Sequence, residues 1–468
     1  MSSIINGRLQ TPEGCTKNLI FDLPASMISS SKLENRVQPY GQSTYSTAGQ
    51  IAKFVIPRTD RSFFNPSTMY LTGNIEFTGN FTGAVAGTDM MYILGSYYSI
   101  FSRQVVSSNG RQLETIERPG ELVAMILNQT CNPAEKVGMA NNFGFYNDKT
   151  TASEGDVTYN MSQPINTGTT GLSNLANSGR SISFALPIIG LLNSAKFVPL
   201  INGDISIELT INALSNWLLG GSALATTAIG ASVTFTIQNL ELVFDQITLT
   251  PESYQTIMQN YPEKIHIKSQ SYDFASSASF TVTPSAIDIP INIKRSSLKQ
   301  IIFYFNQSDC ADKTFGGVNP NLNDIVFITN GQQYPQRPIR VNINPSEVFN
   351  QVQKAYGSLY SNSHGGSMGK MEFCRRTTGS NNYYATVDNS AVTNYQTAAN
   401  KFYLAIDTEL VNYDSDSLYS GIAMGVNSNF RLNIGDTATA KLCTLMSWFC
   451  YDAIIEFDLV NQITSVIA

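Results

Sequence analysis

One architectural phrase occurs twice in this chain. Residues 105–116 read VVSSNGRQLETI and residues 324–336 read DIVFITNGQQYPQ, each an apolar strand running into Asn-Gly. Asn-Gly is the strongest short-range signal for a type I′ hairpin, because both central residues of that turn need φ > 0. A second phrase repeats: NLELVFDQIT at 239–248 and IIEFDLVNQIT at 454–464, both apolar strands carrying Phe-Asp. Asn109 and Asn330 lie 221 positions apart, and Phe244 and Phe457 lie 213 apart. Two marks at nearly one offset predict two related β-domains in tandem. With 468 residues, each half is long enough to bury its own core.

Alternation with period two dominates the rest. Met69, Leu71, Ile75 and Phe77 share one face with Gly73, and Ile205, Ile207, Leu209 and Ile211 share another. Val233, Phe235 and Ile237 lead into Leu240, Leu242 and Phe244 with a one-residue phase slip, which predicts a bulge. In the second half Ile287, Ile289, Ile291 and Ile293 alternate with polar residues and Pro290. Proline cannot donate to a ladder, so that strand belongs at an edge or a bulge. One apolar face per strand is what two packed sheets bury.

Helical patterns are few and short. PGELVAMILN at 119–128 and PSEVFNQVQKAYG at 345–357 follow the two Asn-Gly hairpins, the second with Ser346 as the expected N-cap and Gly357 as its stop. A third, PESYQTIMQN at 251–260, follows the first Phe-Asp strand, which places the linker at about 250–270. The expected division is an arm at 1–50, a first β-domain at 51–250, a linker helix and junction at 251–270, and a second β-domain at 271–468. Polar stretches at 132–180, 306–323 and 358–398 interrupt the strands, two of them after the short helices. Stretches of that length carry either function or disorder. The aromatics Phe143, Phe145, Tyr146, Tyr383 and Tyr384 favour loops that pack on something.

Charged residues make up 14% of the chain, low for a free monomer and suited to a surface occupied by neighbours, although a secreted β-protein meets that composition equally. Net charge is −6 with no basic block, which argues against electrostatic attachment to nucleic acid. Lys294, Arg295 and Lys299 read as a solvated strand edge. None of the six cysteines is at C-x-x-C spacing, and only His266 and His364 are available, so a zinc site is not expected. Cys443 and Cys450 read as buried thiols. MSSIINGRLQTPEG has neither a basic start nor an apolar core, so no signal peptide is expected, and no apolar run is long enough for a spanning helix. Folding in a reducing cytosol is the simplest account, which leaves the sequons at Asn80, Asn128, Asn160 and Asn306 unused.

Catalysis finds little support. The chain has no G-x-S-x-G elbow, P-loop, H-E-x-x-H or dinucleotide fingerprint. His266 lies in the strand-like KIHIKSQ and His364 in the Gly-rich NSHGGSMG, which is poorly suited to rigid preorganisation. A carboxylate pair for glycoside hydrolysis can be drawn from Asp204, Glu208, Glu241 and Asp245, but nothing in the spacing selects one. Trp217 and Trp448 read as core aromatics, with a lectin-like sugar platform as the alternative. Asp245 and Asp458 of the Phe-Asp pairs either hold a strand end through backbone N–H groups or meet a neighbouring subunit. No catalytic, cofactor-binding or metal-ligating residue is assigned, and no cofactor is expected.

These residues together resemble a family. ISFALPIIGLLNSAKFVPLINGDISIELTI at 182–211 is similar to the first-domain pattern of the double jelly-roll major capsid proteins of icosahedral double-stranded DNA viruses. SVTFTIQNLELVFDQITLTPESYQTI with YPEKIHIKSQ resembles their domain junction, and IVFITNGQQYPQRP their second-domain strand ending in an Asn-Gly-Gln turn. The family includes those of nucleocytoplasmic large DNA viruses, polinton-like viruses and virophages and, more distantly, adenovirus hexons. The resemblance spans roughly residues 50–465 and rests on the order and spacing of features.

The resemblance implies an all-β fold of two tandem eight-stranded jelly-roll sandwiches with long loop insertions and a few short helices. It implies a non-enzymatic structural protein of the virion, made and assembled in the host cell. Three copies form a pseudo-hexagonal capsomer that tiles a shell around the genome through heterologous contacts. Implied partners are the chain itself, neighbouring capsomers, minor capsid and penton proteins, and a host surface met by the tower loops, without sequence-specific nucleic-acid binding. Residues 1–50 would form an arm along the capsid floor. The alternative is a carbohydrate-binding or glycan-hydrolysing β-sandwich protein.

Overall fold

Both Asn-Gly turns take the backbone their sequence demands: Asn109 and Asn330 each lie at φ 49°, and Gly110 and Gly331 each at φ 75°. The structure is a computed structural model. It describes residues 4–5, 8–9, 30–78, 90–93, 96–131, 180–193, 196–221, 234–261, 263–307, 319–341, 344–356, 402–410, 419–435 and 442–468.

The first roll is built from β1 (Ser30–Val37), β2 (Ile51–Ile56), β3 (Ser62–Thr78), β4 (Phe101–Ser108), β5 (Arg111–Glu117), β6 (Arg180–Pro187), β7 (Ile205–Ile211) and β8 (Thr234–Leu249). They form two antiparallel sheets, ordered β6-β3-β8-β1 and β2-β7-β4-β5. The second roll uses β9 (Lys264–Ser276), β10 (Ser285–Ile291), β11 (Arg295–Gln307), β12 (Leu322–Thr329), β13 (Gln332–Arg340), β14 (Leu404–Asp407), β15 (Ser428–Ile434) and β16 (Leu442–Asp458). Its sheets run β9-β16-β11-β14 and β10-β15-β12-β13. Taken in chain order within each roll, the two arrangements are identical, and each wraps eight strands into a jelly roll. Short strands such as Thr44–Tyr45 on β8 and Ile463–Ile467 on β16 extend the long sheets.

The local patterns produce these strands directly. β7 alternates buried and half-buried along its length, with Ile205, Ile207, Leu209 and Ile211 inward. In β8 the register slips between Gln238 and Glu241, where Asn239 takes φ 53°, so the expected bulge is present. Pro290 lies in β10, an edge strand that needs no donor at that position. The facing apolar sides close two cores: Phe54, Ile75, Ile237 and Trp217 meet in the first, and Phe303, Phe327, Phe430 and Phe449 in the second.

α1 (Pro119–Thr130) and α3 (Pro345–Ala355) follow the two hairpins, and α2 (Pro251–Asn260) joins the rolls. Each begins with proline in its first turn, where a missing N–H costs nothing. The cap of α3 is Asn344 rather than Ser346: its side chain accepts from Glu347 N, and Pro345 then occupies the first helical position.

The division of the chain also shifts from the sequence expectation. β1 lies within 1–50 and belongs to the first roll's sheet, while β9 starts at Lys264, ahead of 271. β1 escapes a periodicity argument because Ser30 to Glu34 are exposed on both faces and carry no alternation. We therefore propose rolls at 30–249 and 264–468 joined by α2. Residues 1–29 lie outside the described residues apart from the short pair Ile4–Ile5 and Arg8–Leu9. The polar stretches 132–180, 306–323 and 358–398 fall largely outside them too.

Candidate functional site

The rolls meet along a seam where β5, the edge of one sheet, lies against β9, the edge of another. Glu114 is buried at its centre. One of its carboxylate oxygens accepts from Leu191 N at 2.8 Å and from the Ser271 hydroxyl. Ser269 donates in turn to the Leu191 carbonyl at 2.6 Å. Gly190, at φ 83°, passes so close that a Cβ there would lie 2.5 Å from Glu114 Oε1. Burial pushes the Glu114 carboxyl up to about 8, against the pull of the Ser271 and Leu191 hydrogen bonds and helped slightly by Asp273.

Above and below this point the seam continues through directed hydrogen bonds. Trp448 Nε1 donates to the Glu117 carbonyl at 3.0 Å, Tyr304 donates to Glu121 Oε2 at 2.6 Å, and Tyr403 donates to the Met125 carbonyl at 3.3 Å. At the end carrying the first Asn-Gly turn, Asn202 Nδ2 donates to the carbonyls of Asp458 and Ile463 at 3.0 and 3.1 Å. Arg58 reaches Gln462 Oε1 at 2.9 Å. Apolar packing crosses as well: Ile267, Ala453, Ile455 and Phe457 join the first core, and Ile116, Leu122 and Met125 join the second.

The seam makes the two rolls unequal. β16 is buried at every position from Leu445 to Ile455. Its Phe449 packs on Phe327 and Phe430 inside the second roll, while Trp448 bonds to the first. Its counterpart β8 is buried without a break only from Leu242 to Asp245, and it leaves Thr236, Gln238 and Glu241 partly exposed. Beside β8, the edge strand β1 exposes Lys32, Glu34 and Arg36, which are ion-paired with Asp245, Glu241 and one another. The side of the second roll that meets the first is covered; the matching side of the first roll is open.

The sequence candidates for chemistry are dispersed and occupied. Asp204 accepts from Arg58 N at 2.7 Å, Glu208 pairs with Lys53 at 2.8 Å, Glu241 with Arg36 at 3.6 Å and Asp245 with Lys32 at 2.7 Å. The first two carboxylates belong to one sheet region and the last two to the opposite sheet. His266 lies on β9, bonded to Glu456 at 3.0 Å; His364 lies outside the described residues. Trp217 and Trp448 are fully buried, Trp217 against Phe235 and Phe77 and Trp448 against Tyr304 and Phe274, so neither offers a platform for a sugar. Among the described residues no group of His, Cys, Asp and Glu could hold a metal ion, and no helix is long and apolar enough to cross a membrane.

Other expectations divide. Asp458 does hold a strand end, accepting from Val460 N and Asn461 N at 3.0 and 2.8 Å, whereas Asp245 is spent on Lys32. Arg295 and Lys299 are not a solvated edge: Arg295 forks onto Asp273 at 2.6 and 2.8 Å and stacks over Tyr451, and Lys299 pairs with Glu409. Cys443 and Cys450 are buried thiols, and burial pushes the Cys450 thiol up to about 12. Glu114 is absent from the sequence candidates, although it shares a strand face with Ile116, which is the signal of an acid placed inward.

No family model and no curated protein matches this chain. Solved structures do. The chain is similar to one from the 3.5 Å cryo-EM structure of the Sputnik virophage, with TM-score 0.58 and 13% identity, covering 100% of this chain and 94% of that one. It is similar to the mavirus major capsid protein, with TM-score 0.56 and 9% identity over 100% and 96% of the two chains. A chain of the PBCV-1 virus capsid matches with TM-score 0.56 and 11% identity over 96% and 98%. At such identities the likeness shows the fold: this is the double jelly-roll fold, matched along nearly its whole length.

Proposed function

We propose that this chain is the major capsid protein of an icosahedral double-stranded DNA virus, assembling first into a pseudo-hexagonal trimer and then into a shell. The observation that carries this reading is the unequal pair of rolls. Two units of one topology are joined by a seam within the chain, and the first unit keeps open the side that the seam covers on the second. A second copy can cover that side with its second roll, which is a heterologous contact. If the internal seam and the contact between copies together turn by 120°, three copies close a ring of six rolls. The matched folds of capsid chains support the same reading.

The work of such a protein is mechanical: self-association, with no bond making. Neighbouring capsomers, minor capsid proteins and penton proteins are the partners it implies, and the virion is its location. Light scattering after size exclusion tests the first step. A species near three times 51.2 kDa that resists dilution is expected, and its further association into hexagonal arrays is visible by electron microscopy. A stable monomer at all concentrations overturns the trimer.

A further inference from the structure

We infer that the contact between copies is made by β13 of one chain seated against β1 of the next; this rests on the trimer reading above. Within the chain, the seam joins the fifth strand of the first roll, β5, to the first strand of the second, β9. Repeating that relation one step further pairs the fifth strand of the second roll with the first strand of another copy's first roll. Those strands are β13 and β1, and among the described residues both are sheet edges.

Burial separates the used edges from the unused ones. β5 buries Glu114 and Ile116, and β9 buries Ile267, Ser269, Ser271 and Tyr272. β13 buries only Ile339, and β1 buries nothing. Leu33 on β1 is 63% exposed, an apolar side chain without cover on an edge that would otherwise invite pairing. Pro335 and Pro338 remove two donors from β13, so the seat is made by side chains, as it is between β5 and β9, and not by extending a ladder.

Charge favours the same occupant. β13 carries Arg337 and Arg340 and no acid, and among the described residues neither arginine has an ion-pair partner. The β1–β8 face carries Glu34, Glu241 and Asp245 against Lys32 and Arg36, an excess of one negative charge. Two unpaired cations would thus meet a face of the next copy that carries one uncompensated negative charge.

The test uses the full chain with Leu33→Cys and Arg337→Cys together, treated with a short bis-maleimide linker and run on a denaturing gel. Covalently linked trimers are expected from the double variant and from neither single variant, because a heterologous contact joins residue i to residue j and never i to itself. The single variants also report any linkage through native cysteines. If wild type and double variant are both trimers by light scattering and no linked species forms, this pairing of edges is wrong while the trimer stands. If the wild type is a monomer, the trimer reading itself falls. As an independent arm, Arg337→Glu with Arg340→Glu should convert trimer to monomer, and adding Glu34→Lys with Glu241→Lys should restore it. A charge-reversed chain that remains trimeric at low salt counts against the seat.

Discussion

Asn109 and Asn330 hold the same place in successive rolls: each donates through Nδ2, over 2.9 Å, to a backbone carbonyl, that of Asn202 in the first roll and of Ala423 in the second. Each side chain therefore ties a hairpin turn to a segment beyond its own hairpin. Asn109 makes one more contact, to the Gln462 carbonyl at 3.3 Å across the seam. Alanine at either site loses the hydrogen bond and meets the left-handed backbone, together about 1–2 kcal/mol. Asn109→Ala is expected to cost more than Asn330→Ala, because only the first also loosens the seam. Urea unfolding of both variants measures the difference, and equal losses would separate the turn from the seam.

Glu114 gives the seam a pH dependence. Its carboxyl is raised to about 8 in the folded chain, above the unfolded value of about 4.3, so the folded state holds a proton that the unfolded state has lost. The stabilisation is fully present below the unfolded value and declines as pH rises through about 8. Its size is on the order of a few kcal/mol. Glu114→Gln should flatten the urea midpoint between pH 6 and 9 and exceed wild-type stability at the alkaline end. A wild-type midpoint as flat over this range as that of the variant would show that Glu114 is ionised in the fold.

Two glycines are held by contact and not by conformation. A Cβ on Gly120 would lie 2.3 Å from Ser99 N and 2.4 Å from its Cα, backbone atoms fixed by the turn at Tyr97–Ile100. On Gly73 it would lie 2.8 Å from Phe184 Cζ and 2.9 Å from Leu240 Cδ2, side-chain ends that can shift. Gly120→Ala should therefore destabilise by about 3 kcal/mol and Gly73→Ala by about 1–2. Thermal unfolding orders them, and the reverse order would contradict the packing of α1 on that turn.

Trp448→Phe keeps a ring beside Tyr304 but leaves the Glu117 carbonyl without its donor. A loss of about 1–2 kcal/mol is expected from a buried, unpaired carbonyl. Faster amide exchange should follow in β9 and β16 more than in β7, which lies away from the seam. Uniform acceleration throughout would mean that the tryptophan serves only the second core.

Much of the fold is legible in the residues because strand alternation is local. β7, β10 and the bulge in β8 follow from neighbours within a few positions, as do the Asn-Gly turns. β1 is not legible, since an edge strand exposed on both faces leaves no periodic trace. The two Phe-Asp repeats read alike, yet Asp458 holds a strand end and Asp245 pairs with Lys32, because different chain segments lie beside them.

The sequence by itself determined that this is a tandem of two β-sandwiches with hairpins and helices at matching places, because those signals act over a turn or a strand. Only the tertiary structure decided which edges meet. Glu114 and Ser271 are 157 positions apart, and Glu117 and Trp448 are 331 apart. Contacts at such separations depend on how two finished sandwiches pack, and that packing decides which edge is buried within the chain and which remains open.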